Sequence, residues 1–462
     1  MGFRQRHDWR WIIGAAVMRR RVFSVVLLFT VTLLSPLGFG QAARDPATIG
    51  RNALDLLLAG KYAEFNATLT DSAKELLTTE FLRDRVGAEL KGFGTVGAIG
   101  QPVLVQAGKN SDLTFPVHFS ETNVNIVITL NDSLQVAAFH LHPGNAPLPP
   151  GRQQPSYSKP DSFQSRELTI GDDEWKLGAT LLVPNGKAPF PGVVLVQGPG
   201  PNDRDETIYT SQVFRDLAEG LASRGIAVLR YDKRTKVYGE KMSDMDFTIQ
   251  QETVEDAVRA AALMRRQPEV DPNGVFVLGH SLGGYVAPRI AAQDGKLAGL
   301  IFLAANARPI EDVAFDQNNY VAHLTGEPSA DVQKRLDALK DEVAKVKQLE
   351  PGKQNPQVVL GLPVSYLLDL KGYDAAAQAK GLAMPMLFLQ GARDFQVTMT
   401  DFGIWKSALS ERKNVTFRSY PKLNYLFITG ERKSSPTEYR TPGNVDPQVI
   451  DDIATWLLAN KK

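Results

Sequence analysis

No cysteine occurs among the 462 residues, which excludes both disulfides and thiolate chemistry. An excess of either charge is also missing. Fifty-two lysines and arginines face 51 aspartates and glutamates, for a net charge of +1. That balance gives no electrostatic footing for a nucleic-acid partner. Long apolar runs are scarce: Val22–Leu34 is shorter than the roughly 20 residues a membrane-spanning helix needs. Histidine is scarce where function would want it, with six in the chain and none after His323. No pattern calls for a cofactor or a bound metal.

What is present begins with Arg19, Arg20 and Arg21, followed by the apolar run and then Pro36, Gly38 and small residues at Gly40, Ala42 and Ala43. A basic start, a short apolar stretch and small residues read as a secretory signal over 1–42, cleaved near Ala42. The expected location is secreted or periplasmic, with no stable membrane span after cleavage; the alternative is an uncleaved anchor. Met18 precedes the arginines directly, so translation starting at Met1 or at Met18 fits the same reading.

From 44 to 145 a helical apolar spacing ("IGRNALDLLLAGKYAEFNATL") gives way to four strand-like runs, with a turn at Asn131-Asp132. This is a small α+β domain whose order of elements resembles NTF2-like or DUF3887-type modules. Pro143–Pro160 holds six prolines and little apolar material, so 146–160 reads as a stiff linker. Beyond it, "GVVLVQ", "IAVLRYD", "GVFVLGH", "LAGLIFLAAN" and "PMLFLQG" are nearly continuous apolar runs separated by helical spacing. Such runs suit parallel strands buried on both faces. The alternation predicts an α/β, doubly wound, mostly parallel sheet over 161–462. Between about 307 and 384 the pattern breaks. There Val332, Leu336, Leu339, Val343 and Val346 form one helical stripe, expected as a helical cap.

Gly279-His280-Ser281-Leu282-Gly283 follows a buried strand and opens a helix. In that context G-x-S-x-G makes a strained turn that presents a serine hydroxyl. Here the chain resembles the α/β-hydrolase superfamily, in particular bacterial secreted esterase-like and serine aminopeptidase S33-like members with a small N-terminal domain. The resemblance implies acyl transfer to Ser281 as nucleophile and a small acyl or ester substrate. It places the triad acid at Asp394, in "PMLFLQGARDFQVT", and the triad histidine in the loop of "SYPKLNYLF".

The pattern fails in that loop, where Tyr425 occupies the histidine's place. A phenol ordinarily titrates near pH 10, so it is protonated at neutral pH and is a poor base. The oxyanion loop departs too. Leu282 N–H should contribute, but Gln197-Gly198-Pro199 puts a proline, which has no N–H, where a donor is expected, leaving Gly200 as a substitute. His280 lies inside the turn and should point away from the serine. His323, in the cap, could be delivered as a replacement base. His140 and His142 share one face of a strand, where a solvated edge or a metal pair are the alternatives, and His118 has no visible partner. Asp203, Arg204, Asp205 and Asp232, Lys233, Arg234 read as loop-pinning ion networks. The functional expectation is a serine esterase-type hydrolase by descent with weak or lost activity. The alternatives are a pseudohydrolase that binds a ligand or partner, and an active hydrolase using a cap histidine.

Overall fold

The computed structural model describes residues 45–107, 110–144, 154–171, 174–208, 211–243, 246–324, 326–353 and 358–461. The expected signal segment, 1–42, lies outside them. Two compact units divide between Pro149 and Pro150.

The N-terminal unit starts with a helix, Pro46–Leu58, whose first amides are accepted by the Asp45 carboxylate. Shorter helical segments follow up to Gly92. Five antiparallel strands come next: β1 (Val96–Ile99), β2 (Val103–Ala107), β3 (Asn110–Phe119), β4 (Asn123–Leu130) and β5 (Val136–Gly144). β1 and β2 share one edge of the long β3, and β4 and β5 extend the other. Strict alternation along β3 and β4 turns Leu113, Phe115, Val117, Val124, Ile126 and Ile128 to one side. There they pack with Leu54 and Leu57 of the helix into a single core.

In the second unit the strands are β6 (Phe163–Ile170), β7 (Leu177–Pro184), β8 (Phe190–Val196), β9 (Ala227–Tyr231), β10 (Val270–His280), β11 (Gly299–Leu303), β12 (Met386–Gly391) and β13 (Val415–Tyr420). Their spatial order is β13-β12-β11-β10-β8-β9-β7-β6. β6 and β7 pair antiparallel at one edge, and β7 pairs antiparallel with β9. The remaining pairings, from β9 through β8, β10, β11 and β12 to β13, are parallel. This is the doubly wound, mostly parallel α/β sheet that the apolar runs predict. Val193–Val196 and Val275–Leu278 are completely buried because helices cover both faces. β6 escaped the sequence pattern because an edge strand with a solvated face has no continuous apolar run, and it is mostly exposed; β7, paired on both sides and buried, was not among the apolar runs read as strands. The last helix, Pro447–Asn460, buries Val449, Ile453 and Leu457 in the core.

Two boundaries differ from those read in the sequence. Of the expected linker 146–160, residues 154–160 belong to the hydrolase unit: Tyr157 joins its core, and Ser158 donates to Glu219 at 2.8 Å. The aromatic ring supplies the apolar area that the prolines lack. Within 307–384, helices Ile310–Ala322, Ala330–Gln348 and Val364–Leu370 form the excursion, and Val343 and Val346 pack with Val359, Val364 and Leu367. Helix Ala375–Lys380 instead buries Ala375, Ala376 and Ala379 in the core of the sheet. The cap therefore ends near Leu370.

Candidate active site

The carboxyl ends of β8, β10, β12 and β13 bring their following loops together. Ser281 stands at the end of β10 with φ 53° and ψ −120°, a conformation that costs a non-glycine residue on the order of 1–3 kcal/mol. Its amide donates to Leu303 O at 2.9 Å, which ties the turn to β11. The flanking glycines are required by space. A Cβ on Gly279 would lie 2.3 Å from the Gly283 carbonyl, and one on Gly283 would lie 2.2 Å from Val196 O. Sequence spacing thus becomes a close backbone approach between the turn and β8.

The loops after β12 and β13 lock to each other in a similar way. A Cβ on Gly391 would lie 2.5 Å from Leu423 O, and Arg393 N donates to that same carbonyl at 3.0 Å. On the first loop, Asp394 is buried. Its Oδ1 accepts from Gln396 N at 2.7 Å and Val397 N at 3.0 Å, and its Oδ2 from Gln390 Nε2 at 2.9 Å. Burial pushes this carboxyl up to about 7, against the pull of those donors.

On the second loop, Asn424 Oδ1 accepts from Leu426 N at 3.0 Å and Ile428 N at 3.1 Å. This side-chain-closed turn aims Tyr425 inward. The Tyr425 ring is buried against the His280 ring, with centroids 4.5 Å apart. Its hydroxyl lies beside the Ser281 side chain. Burial first, and then the Glu206 carboxylate, hold the phenol well above its ordinary value, so it remains protonated at any physiological pH.

The oxyanion side is occupied by groups the sequence did not single out. Gly198 lies against the serine: a Cβ there would be 3.3 Å from Ser281 Cβ, 3.5 Å from Tyr425 Oη and 3.5 Å from Glu206 Oε1. Gly198 N–H donates to Glu206 Oε1 at 2.8 Å, Pro199 has no N–H to offer, and Gly200 has φ 92° with open space where a Cβ would stand. Leu282 opens the short helix behind the serine. Glu206, itself at φ 46°, holds His280 Nδ1 with its other oxygen at 2.9 Å, and His280 Nε2 reaches Tyr425 O at 3.2 Å. Both imidazole nitrogens are thus engaged away from the serine hydroxyl. Burial disfavours the imidazolium, but Glu206, with help from Tyr425 O and Asp394, leaves the ring raised above its usual value. Glu206 left no sequence signal, since it lies 74 positions from its histidine partner.

The other candidates fall elsewhere. His323 is exposed at the end of its helix, with Nδ1 bonded to Asn319 O at 2.9 Å. His118 bonds to the Asn123 side chain on β4. His140 and His142 stack with centroids 5.9 Å apart on β5, and the described residues contain no group of three or more potential metal ligands. Arg204 pairs with Asp232 at 2.6 Å, and Arg234 with Asp256. Lys233 departs from this pinning pattern: its Nζ donates to Gly198 O at 2.7 Å and pairs with Glu252 at 3.2 Å.

The sequence is also similar to those of known proteins. The sequence pattern of the family described as serine aminopeptidase, S33, matches residues 207–423. Esterase EstD of Thermotoga maritima is 38% identical over 371 residues, 80% of this chain and 84% of that protein. Polyketide transferase ATR5 of Stachybotrys chlorohalonatus is 32% identical over 165 residues, 34% of this chain and 50% of its own. Among solved structures, Est1E from Butyrivibrio proteoclasticus superposes with a TM-score of 0.41 at 16% identity, covering 64% of this chain and 98% of that one.

Proposed function

Because the chain belongs to the serine aminopeptidase S33 family of α/β-hydrolases and is an esterase homologue, we propose that it binds small acyl esters at Ser281 and hydrolyses them slowly or not at all. The observation that carries this reading is the partner of the serine. The side chain set beside Ser281 is a buried, protonated phenol, where the chemistry needs an imidazole titrating near neutrality. A phenol becomes a useful base only where neighbouring cations draw its proton off, and Tyr425 has carboxylates nearby instead. Asp394 lacks an imidazole partner, and its oxygens are held by Gln390, Gln396 and Val397. Pro199 removes a donor from the oxyanion loop, a loss of about 100- to 1000-fold in comparable sites. Substrate can still enter, react with Ser281 by the slow background route and be held there. Export from the cytoplasm is part of the proposal and rests on the sequence of residues 1–42; no nucleic-acid partner is invoked.

The test is p-nitrophenyl ester hydrolysis near pH 7.5, with Ser281→Ala as the blank. Tyr425→His is expected to raise kcat/KM by on the order of 100-fold. Adding Pro199→Gly is expected to raise it further by restoring a backbone donor. A wild-type protein that already turns over at about 1 per second or faster, and loses this in Ser281→Ala, would overturn the proposal.

A further inference from the structure

The two peptide bonds that flank the Gly198 Cα are each gripped by a buried charge. On the amide side, Glu206 Oε1 takes the N–H at 2.8 Å while Glu206 Oε2 holds His280. On the carbonyl side, Lys233 Nζ donates at 2.7 Å while Glu252 holds the ammonium at 3.2 Å. The side chains of Glu206, His280, Lys233 and Glu252 are all at least 96% buried. Asn202 Nδ2 adds a third contact, to Gly198 O at 3.1 Å.

We propose that Glu206 and Lys233 are positioning residues for Ser281, two opposed arms of a clamp that fixes the Gly198-Pro199 segment against the nucleophile. The reason lies in what the segment lacks. A glycine followed by a proline offers one backbone N–H to anchor it, yet it runs so near the nucleophile that a Cβ on Gly198 would stand 3.3 Å from Ser281 Cβ. Left alone it would sample conformations that either collide with the serine or open a gap beside it. Fixing it costs two buried charges, each neutralised by its own counter-ion, His280 or Glu252. The same arrangement explains why Gly198 N–H does not serve an oxyanion: it is already committed to holding position. It also gives Lys233 a contact that its neighbours do not make: Asp232 holds Arg204 further along the same loop, and Arg234 holds Asp256 on a helix.

The inference rests on Ser281 being an acyl-accepting nucleophile, so the experiment separates the two claims. The rate of covalent labelling of Ser281 by a fluorophosphonate is measured in the full chain, wild type and Tyr425→His, with Ser281→Ala as blank and thermal unfolding run alongside. Glu206→Gln keeps an oxygen for Gly198 N–H and should label within about threefold of its parent. Glu206→Asp keeps the charge but is one methylene too short, and should label at least about tenfold slower. Lys233→Met combined with Glu252→Gln, which leaves no orphan charge, should slow labelling by a similar factor. In the Tyr425→His background these losses should fall on kcat, referred to the folded fraction that thermal unfolding gives, with KM little changed. Labelling of Glu206→Asp at the parent rate, or of Glu206→Gln as slowly as Glu206→Asp, overturns the clamp while leaving the esterase reading intact. If the double variant does not fold, the Asp/Gln comparison alone decides. Absence of labelling in both parents overturns the nucleophile assignment and the clamp with it.

Discussion

The two sides of Ser281 are built on different principles. On the elbow side, backbone does the work: Gly279 and Gly283 let β10 and its helix close to van der Waals contact with β8, and Ser281 is held at positive φ by the turn itself. On the acid side, side chains do the work: Gln390 and two amides hold Asp394, and the Asn424 carboxamide closes the loop that aims Tyr425. On the proposed function, the backbone side keeps the shape of a hydrolase while the proton-transfer side carries a phenol in place of a base. Geometry and proton chemistry are separable properties of such a site.

Three measurements sharpen that contrast. The largest effect belongs to the elbow. Gly283→Ala places a methyl 2.2 Å from Val196 O, an atom of the central sheet that cannot move aside. A loss of about 3 kcal/mol or more in urea unfolding is expected; a loss below about 1 kcal/mol would mean the turn is not the rigid half of the site.

The acid side should respond to pH instead. The Asp394 carboxyl sits at about 7 in the fold, above the 3.8 of an unperturbed aspartate. The folded state therefore holds its proton more tightly than the unfolded chain does. The stabilising contribution of that proton is full below about pH 4 and is lost as pH rises through 7. Asp394→Asn removes the dependence, and above pH 8 it should be more stable than the wild type by on the order of 2–4 kcal/mol. The two proteins should converge near pH 4. Equal unfolding midpoints for the two across the whole range would show that Asp394 is comfortably ionised and that the acid side is not as described.

The smallest effect is expected at the junction of the two sides. Tyr425→Phe deletes the hydroxyl beside Ser281 and keeps the ring against His280. Stability should fall by only about 1 kcal/mol, and Ser281 labelling should stay within about threefold, because a protonated phenol does not activate the serine. A tenfold loss of labelling would give the phenol a catalytic part.

How much of this was legible beforehand differs residue by residue. β8 through β12 could be read as strands because burial on both faces leaves an unbroken apolar run, and Ser281 because its glycines sit at fixed local offsets. Tyr425 was legible as a departure, since no histidine follows His323. β6, the packing of Tyr157 and the early end of the cap were not, because each depends on what covers one face of an element and local composition does not record that.

The amino-acid sequence alone determined that this chain folds as a strand–elbow–helix protein with a serine at the turn and a phenol where an imidazole would serve. Both follow from short-range spacing and residue type. Only the tertiary structure decided that Glu206 and Lys233 meet on one glycine residue. Glu206 lies 74 residues from His280, and Lys233 lies 35 from Gly198. Single charged residues at such separations carry no local pattern. They acquire a role only when parallel strands deliver their loops to the same end of the sheet, where low dielectric and the absence of water make each buried charge find its partner.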